Sequence, residues 1–361
     1  FKNYSYEIEV KIYIKNLSDD KITGRFYGCI GKSYKKNDGW FSSRSYDGAA
    51  LYTNDKIYKK LSFNDIDKTT YVNRVKGGWV AFVENYFLST WIPENDYTYI
   101  YTAERNDNLY VLKYITDQEL SVLPNEYNYI STKLFIGPKV KDYLSTLHKG
   151  LDLSIDYGFF WPIALSIFLL LSKIFSFVNN WGLSIIIITC MIKLLFYNLS
   201  AMSYKSLKEM KNLQPRLESL KERYKDDKKE LNQAVLELYK TEKVNPLSGC
   251  LPILIQIPVF ISLYCVLLES VELRHSPFIF WISDLSSKDI YYVLPIIMSL
   301  TMFIQQKLNP PVQDALQRKI ILFMPFVFLF VFLQFPSGLV LYWVVNNILS
   351  IFQQWLITRH T

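Results

Sequence analysis

The sequence predicts an α+β membrane protein. An external antiparallel β-sandwich is followed by a five-helix transmembrane core with an interfacial helix and a cytoplasmic helical hairpin. The first 150 residues are polar and contain short alternating segments, whereas nearly all the extended apolar stretches follow them. A charged, periodic segment interrupts those stretches at 201–245. We therefore expect an external domain at 1–150, a linker with the interfacial helix at 151–180, and a membrane core at 181–361.

The external domain is predicted from period-two alternation. Residues 4–14 alternate between apolar and polar side chains, as in a half-buried β-strand. Turn-forming residues separate such segments at Asn3, 16–20, 37–39, 77–79 and 91–93. Many short strands without a long helical pattern predict an antiparallel sandwich. No catalytic constellation is visible in this domain.

Composition argues against several classes of function. The net charge of +7 is spread over both halves of the chain, and no nucleic-acid-binding motif is present, so we expect no direct nucleic-acid function. The four cysteines form no CxxC pair, and the histidines are far apart, so we expect no metal and no cofactor. A lone His148 is expected to be structural. Because the chain opens at Phe1 rather than Met, we expect a fragment that lacks an upstream signal or first membrane anchor.

Five segments of the core are predicted to span the membrane, since a span needs about 20 mostly apolar residues. They are 181–200, 250–268, 291–307, 320–335 and 337–357. The last two belong to one long apolar stretch that Phe335-Pro336-Ser337-Gly338 interrupts. Pro-Ser-Gly favours a turn, and proline does not continue a helix, so a tight hairpin of two spans is expected there.

Basic residues in the loops predict the orientation. The 201–249 loop carries 11 Lys and Arg, whereas the 269–290 loop carries only Arg274 and Lys288. Because cytoplasmic loops are enriched in Lys and Arg, we place 201–249 and the C-terminus in the cytoplasm. Five spans then leave residues 1–150 outside.

The segment 159–178 has two interpretations. Its hydropathy alone indicates a sixth span, which would place residues 1–150 on the cytoplasmic side. Only Asn179-Asn180 separate it from the next span, and Pro162, Lys173 and aromatic ends are typical of a helix in the interface. We favour the interfacial helix.

Lys193 places a cation within an apolar run, where insertion costs about 2.5–3.5 kcal/mol. The predicted orientation puts it in the cytoplasmic half of the bilayer, so its stem could simply reach the headgroups. Polar residues in the other spans favour a hydrophilic groove instead, although single Gln and Asn residues are more often interhelical contacts. The predicted groove residues are Lys193, Thr189, Gln256, Trp343, Tyr342 and Asn346.

The cytoplasmic segment 201–245 is charged but periodic. Apolar residues recur at three- and four-residue spacing in two runs, 210–224 and 231–239, which predicts an antiparallel helical hairpin. Asp226-Asp227 is expected to cap the second helix and Asn245-Pro246 to end it. A solvated connector is the alternative. The basic residues predicted to contact anionic lipid, a ribosome or a nascent chain are Lys208, Lys211, Arg216, Lys221 and Arg223.

Four motifs resemble the YidC/Oxa/Alb family of membrane protein insertases. They lie at 150–158 (GLDLSIDYG), 180–189 (NWGLSIIIIT), 239–249 (YKTEKVNPLSG) and 335–343 (FPSGLVLYW). The similarity covers essentially the whole chain and is weakest over residues 1–45. It implies a β-supersandwich for the external domain, which would be periplasmic in a bacterial inner membrane. It also supports the interfacial helix and the cytoplasmic hairpin.

The resemblance further implies a mechanism without catalysis or ATP. A positive residue in a groove open to the cytoplasm attracts acidic groups of a substrate, which then moves into the lipid. That residue is usually arginine, and Lys193 stands in its place here. Lysine keeps the charge but lacks the planar fork of arginine. The implied partners are nascent membrane proteins, the Sec translocon, the lipid bilayer, the ribosome and the signal recognition particle receptor.

Three rival functions remain at this point. A small-solute transporter or channel is disfavoured because the spans lack Asp, Glu and His for a proton relay and show no inverted repeat. An intramembrane enzyme is disfavoured because the spans contain no paired Asp, HExxH or Ser/His arrangement. A scaffold or chaperone with a purely structural groove is the third, and substitution of Lys193 distinguishes it.

Overall fold

A computed structural model describes residues 5–34, 46–224, 227–242, 244, 251–309 and 315–360. The chain divides into two compact units. The first comprises Phe1–Asp156 with Leu268–Glu272, and the second comprises Tyr157–Leu267 with Leu273–Thr361. They are described separately.

The first unit is an antiparallel β-structure with two short helices among its described residues. The strands are β1 (Glu7–Lys15), β2 (Ile22–Gly24), β3 (Tyr27–Ser33), β4 (Gly48–Leu51), β5 (Lys59–Leu61), β6 (Tyr71–Lys76), β7 (Val80–Val83), β8 (Phe87–Pro93), β9 (Thr98–Asn106), β10 (Leu109–Thr116), β11 (Leu120–Val122) and β12 (Tyr127–Pro138). The helices are α1 (Phe63–Lys68) and α2 (Lys141–Leu147). The sheets have the orders β1-β12-β8-β7-β4-β5, β3-β10-β9-β6 and β11-β2. Every pairing is antiparallel, so the predicted antiparallel sandwich is confirmed.

The central strands β4 and β7 of the six-stranded sheet are buried on both faces. In β7, Val80 and Phe82 pack with Tyr99, Tyr101 and other aromatic residues of the four-stranded sheet. The alternate residues of β7 pack on the opposite side, with Leu144 of α2. A strand covered on both sides needs no polar face, which explains why all four residues of β7 are buried. By contrast, β9 and β10 alternate between buried and half-buried positions, as the sequence pattern predicts.

Two of the predicted turns are confirmed and one is wrong. Gly77 has a φ of 60° and Gly78 a φ of 91°, which L side chains rarely adopt. Asn16 follows β1, and its side chain accepts from the Ser18 amide at 2.9 Å, as in an Asx turn. Residues 91–93 instead end strand β8, where Pro93 pairs with β12 beyond the last β7 partner. Proline is tolerated at such a strand end, beyond the pairing with β7. The predicted turns at Asn3 and 37–39 lie outside the described residues.

The remaining helices begin with α3 after the short 3₁₀ turn Leu151–Ser154. They are α3 (Trp161–Val178), α4 (Trp181–Leu195), α5 (Tyr197–Asn212), α6 (Gln214–Arg223), α7 (Lys228–Thr241), α8 (Leu251–Glu269), α9 (Val293–Leu308), α10 (Ala315–Phe332) and α11 (Ser337–His360). Helices α8, α9, α10 and α11 each overlap one predicted span. The predicted break at Phe335–Gly338 is confirmed, because α10 ends at Phe332 and α11 begins at Ser337.

Two helices within the described residues are individually long and apolar enough to cross a membrane. One is α11, and the other is α3, whose mean hydropathy is 1.9. Two shorter apolar helices cover Leu254–Glu269 and Val293–Leu308. Length and composition therefore qualify α3 as a span, so its interfacial placement and the count of five spans stay predictions.

The first predicted span is shorter than expected. We expected one helix over 181–200, whereas α4 ends at Leu195 and α5 leaves at 67°. The apolar run stops at this point, where Tyr197 and Asn198 follow. The Gln353 amide of α11 donates to the Tyr197 carbonyl at 3.2 Å, directly after the bend.

The cytoplasmic segment folds as packed helices. The Arg216 guanidinium at the start of α6 forms an ion pair with Glu242 at the end of α7, so these helices run antiparallel. Asp227 caps α7 by accepting from two backbone amides, as predicted. The first helical run is interrupted at Leu213, because Pro215 starts a new helix rather than continuing α5. The predicted features at Asp226 and Asn245-Pro246 lie outside the described residues.

Candidate functional site

The Lys193 side chain is directed at helix α11. Lys193 lies in the last turn of α4, and its Nζ donates to the Ser350 Oγ of α11 at 2.7 Å. Ser350 is buried, and its own hydroxyl donates to the Asn346 carbonyl at 2.7 Å. Among the described residues, no carboxylate forms an ion pair with Lys193. The amine is thus held by a neutral oxygen between helices.

Helix α11 carries a row of polar groups along this face. Tyr342, Asn346 and Ser350 are four residues apart, so they lie on one side of the helix. At 1.5 Å per residue the row is about 12 Å long. The Gln256 amide of α8 donates to the Tyr342 hydroxyl at one end, and Lys193 contacts the other end.

A second polar row on α11 has a different role. The Asn347 amide donates to the Thr301 hydroxyl of α9 at 3.2 Å, and the Gln354 amide donates to the Asn309 side-chain oxygen at 3.2 Å. Asn347 and Gln354 are both buried. These bonds join α11 to α9 and its C-terminal cap, so this row forms the interhelical contacts that the sequence left as an alternative.

Two of the predicted groove residues have other contacts. The Thr189 hydroxyl donates to the carbonyl of Ile185 in its own helix at 2.6 Å. Thr189 is buried one turn before Lys193. Trp343 packs edge-to-face on Phe260 with ring centroids 5.0 Å apart, and it also contacts Phe332. The structure therefore brings Lys193 to Asn346 through Ser350 and brings Gln256 to Tyr342, while Trp343 lies in an aromatic cluster.

Sequence reasoning missed two residues of this site. Ser350 receives the Lys193 amine, and the hydroxyl of Tyr204 in α5 interacts with the same Ser350 hydroxyl. Helical spacing could have indicated Ser350, because it follows Asn346 by four residues and precedes Gln353 by three on one helical face. Serine is common in helices, so the signal gains meaning only once Lys193 is known to face α11.

The basic residues predicted to contact partners differ in the contacts that they already make within the protein. The Lys208 amine donates to the Thr358 carbonyl near the end of α11 at 3.0 Å. Arg216 pairs with Glu242, and the Arg223 guanidinium lies 5.8 Å from the Tyr224 ring centroid. Lys221 is half-buried, and Lys211 is exposed. Lys208 therefore has a structural contact in addition to any role on the surface.

The loop before α9 is fixed to the break between α10 and α11. The Ser337 amide donates to the Ser287 carbonyl at 2.7 Å, and the Ser337 hydroxyl donates to the Asp284 carbonyl at 2.8 Å. The Gly338 amide donates to the Leu285 carbonyl at 2.9 Å. The predicted Pro-Ser-Gly turn is thus fastened by backbone hydrogen bonds from one neighbouring segment.

Comparison with known proteins gives matches over the whole chain. Residues 158–361 match the family described as 60Kd inner membrane protein, and residues 1–170 match the YidC periplasmic domain. Proteins named membrane protein insertase YidC are similar in several bacteria. Identity is 49% over 99% of this chain for Legionella pneumophila strain Lens, and 47% over 98% for Ectopseudomonas mendocina. The chain spans 65% and 62% of the lengths of these two relatives.

A solved structure described as an active YidC insertase with the first transmembrane domain resolved is also similar. Its TM-score is 0.49 at 22% sequence identity. The match covers 87% of this chain and 84% of that one.

Proposed function

Because this chain belongs to the 60Kd inner membrane protein family, we propose that it is a membrane protein insertase with a hydrophilic groove open to the cytoplasm. Relatives that are 47–49% identical carry the name membrane protein insertase YidC. The observation that carries the proposal is the Lys193 ammonium, which a neutral hydroxyl holds between helices.

The electrostatics of Lys193 account for attraction of a substrate. An ammonium in apolar surroundings is costly, by about 2.5–3.5 kcal/mol on insertion scales. An acidic group in the tail of a substrate supplies the missing counter-charge, and the attraction is stronger than in bulk water because protein and lipid replace part of the surrounding water. The polar row from Tyr342 to Ser350 then provides hydrogen-bond partners for a short polar tail. The hydrophobic segment of the substrate leaves for the lipid under its own hydrophobicity.

The proposed arrangement places residues 1–150 in the periplasm and the C-terminus in the cytoplasm, with five spans between 181 and 361. The segment 159–178 lies in the interface. Nascent membrane proteins are the substrates, inserted by this protein alone or beside the Sec translocon. The basic residues of the hairpin meet the ribosome, the signal recognition particle receptor or anionic lipid, and Lys211, Arg216 and Arg223 are the exposed ones of those predicted.

Complementation tests the role of the charge. In cells depleted of their own insertase, Lys193→Arg is expected to restore growth fully, because it keeps the charge. Lys193→Glu is expected to fail, because it repels acidic tails, and Lys193→Ala is expected to be impaired. If Lys193→Ala supports growth and inserts every tested substrate normally, the electrostatic part of the proposal is wrong.

A deletion tests the hairpin. Removing residues 214–241 takes out α6 and α7 but keeps the Lys208 contact with the Thr358 carbonyl. We expect reduced insertion with the membrane core still folded, as judged by thermal unfolding in detergent. The matched control is Lys208→Ala in the full chain. Normal insertion by the deletion variant would reduce the hairpin to a connector.

A further inference from the structure

Ser350 occupies the meeting point of three helices. Its Oγ lies 2.7 Å from the Lys193 Nζ of α4, and it also interacts with the Tyr204 hydroxyl of α5. Its hydroxyl proton is directed to the Asn346 carbonyl one turn earlier in α11, at 2.7 Å. Only 3% of Ser350 is exposed, so water has little access to it.

The Ser350 hydroxyl is oriented so that it accepts hydrogen bonds from neighbouring side chains. A hydroxyl has one donor and two acceptor lone pairs. Because the donor is used on the Asn346 carbonyl, the lone pairs remain to accept from other groups. An ammonium has only donors, so the two groups are complementary. Ser350 is therefore an acceptor that its own helix has already oriented.

We propose that Ser350 is the positioning residue for the Lys193 charge, holding the ammonium in the groove without neutralising it. This inference rests on the proposed insertase function. Ser350 acts through Lys193 and needs no contact with the substrate.

Without this restraint, the Lys193 side chain could adopt another position, turned away from α11. Leu194 and Leu195, the next two residues of α4, are 72% and 77% exposed, so the surface of the helix at this level is open. A lysine stem is long enough to carry its ammonium away from the bundle toward a membrane surface. The hydrogen bond to Ser350 opposes that movement and keeps the charge beside the polar row of α11.

The neutrality of the hydroxyl is equally important. An aspartate at position 350 would also hold Lys193, but it would cancel the charge. Serine provides the restraint while leaving a full positive charge to an incoming carboxylate. Ser350→Asp therefore keeps the Lys193 ammonium in position but neutralises it. Ser350→Thr keeps both the position and the charge of the ammonium, because threonine makes the same bond to the preceding turn.

The test uses proteoliposomes with the full chain and a single-span substrate that has a short tail carrying either two Asp or two Asn residues. Ser350→Ala is expected to lower insertion of the acidic tail about tenfold, the loss of one charge-assisted hydrogen bond, while the neutral tail changes little. Ser350→Thr is expected to match the original protein. Ser350→Asp is expected to be as defective with the acidic tail as Lys193→Ala.

A second readout is independent of insertion. Labelling of the Lys193 amine by an amine-reactive reagent, followed by mass spectrometry, reports whether the ammonium is held. We expect Ser350→Ala to increase that labelling about tenfold and Ser350→Thr to leave it unchanged. If Ser350→Ala does not fold, Ser350→Thr and Ser350→Asp still give opposite expectations for the acidic tail.

Asn347→Ala is the matched control, because it removes a buried hydrogen bond to Thr301 on the neighbouring face of α11. It is expected to affect the two tails equally. The inference is overturned if Ser350→Ala leaves both tails and the labelling unchanged, or lowers both tails equally with unchanged labelling. If Lys193→Ala inserts the acidic tail normally, the electrostatic part of the proposed function fails instead, and the labelling still reports whether Ser350 holds the amine.

Discussion

Two lysines of this protein hold their charge in different ways, one in each unit. Lys139, in the β-structured unit, is 1% exposed, and its amine donates to the Glu269 carboxylate at 3.0 Å and to the Ser154 carbonyl at 3.3 Å. Lys193, among the helices, donates to the neutral Ser350 hydroxyl at 2.7 Å. The first charge is neutralised within the fold, whereas the second remains available to a carboxylate from outside.

The difference separates a cation with a structural role from the one that we propose to be functional. Burial lowers the pKa of Lys139, and the Glu269 carboxylate acts against that shift and keeps the charged form accessible. A neutralised pair has no net attraction left for a ligand. A cation held by a hydroxyl retains its full field, which supports the proposal that Lys193 attracts the substrate, whereas the paired Lys139 contributes to stability.

The largest effect is expected for Lys139→Met. This substitution leaves the Glu269 carboxylate buried without its partner, which should destabilise the unit by about 3–5 kcal/mol. The measurement is chemical unfolding of the full chain in detergent. The double variant Lys139→Met with Glu269→Leu should recover most of the loss, because a packed apolar pair replaces the ions. Equal loss in both variants would show that side-chain packing, and not the charge, is the cause.

A smaller effect is expected for Asp284→Asn. Like the Lys193 amine, the Asp284 carboxylate is hydrogen-bonded to neutral groups, but it carries a negative charge. The Asp284 carboxylate accepts from the Ser286 amide at 2.8 Å and from the Ser287 hydroxyl at 2.6 Å. Burial acts to raise the pKa of Asp284, but hydrogen bonds from Ser287, Ser286 and the His275 backbone outweigh it and lower the pKa. We expect the substitution to destabilise the fold by about 1–2 kcal/mol at neutral pH.

The pH dependence gives the sign of that contribution. Because the folded pKa of Asp284 is depressed, the unfolded chain binds the proton first as pH falls. The contribution is therefore present above the ordinary pKa of 3.8 and is lost as pH falls through the folded value. Unfolding curves of the original chain and Asp284→Asn should converge in acid. His275→Ala is the control, since its ring lies 3.6 Å from the carboxylate, and convergence should persist without it.

The smallest effect on stability is expected for Lys193→Met. It removes one hydrogen bond to Ser350 but also removes the cost of holding a cation among helices, so the net change should stay within about 1 kcal/mol. Thermal unfolding in detergent measures this directly. A loss of stability as large as that of Lys139→Met would mean that Lys193 is also structural, and the proposed difference between the two lysines would be wrong.

Local patterns predicted much of the architecture. Alternation predicted the sandwich, the Pro-Ser-Gly segment predicted the break before α11, and an isolated charge identified Lys193. The bend at Phe196 was missed because no proline or glycine marks it in the sequence. The contact of Ser350 with Lys193 was missed because only packing of α11 against α4 brings together these two residues, which are distant in the sequence. Residues 91–93 were misassigned because proline at a strand end resembles a turn signal.

The most direct test of the central claim is a charge reversal in proteoliposomes. Lys193→Glu is combined with two substrates that differ only in carrying two Asp or two Lys residues in the translocated tail. If Lys193 acts by unneutralised charge, the variant loses insertion of the acidic tail and gains insertion of the basic tail relative to the original protein. Equal handling of both tails by Lys193→Glu would contradict the claim.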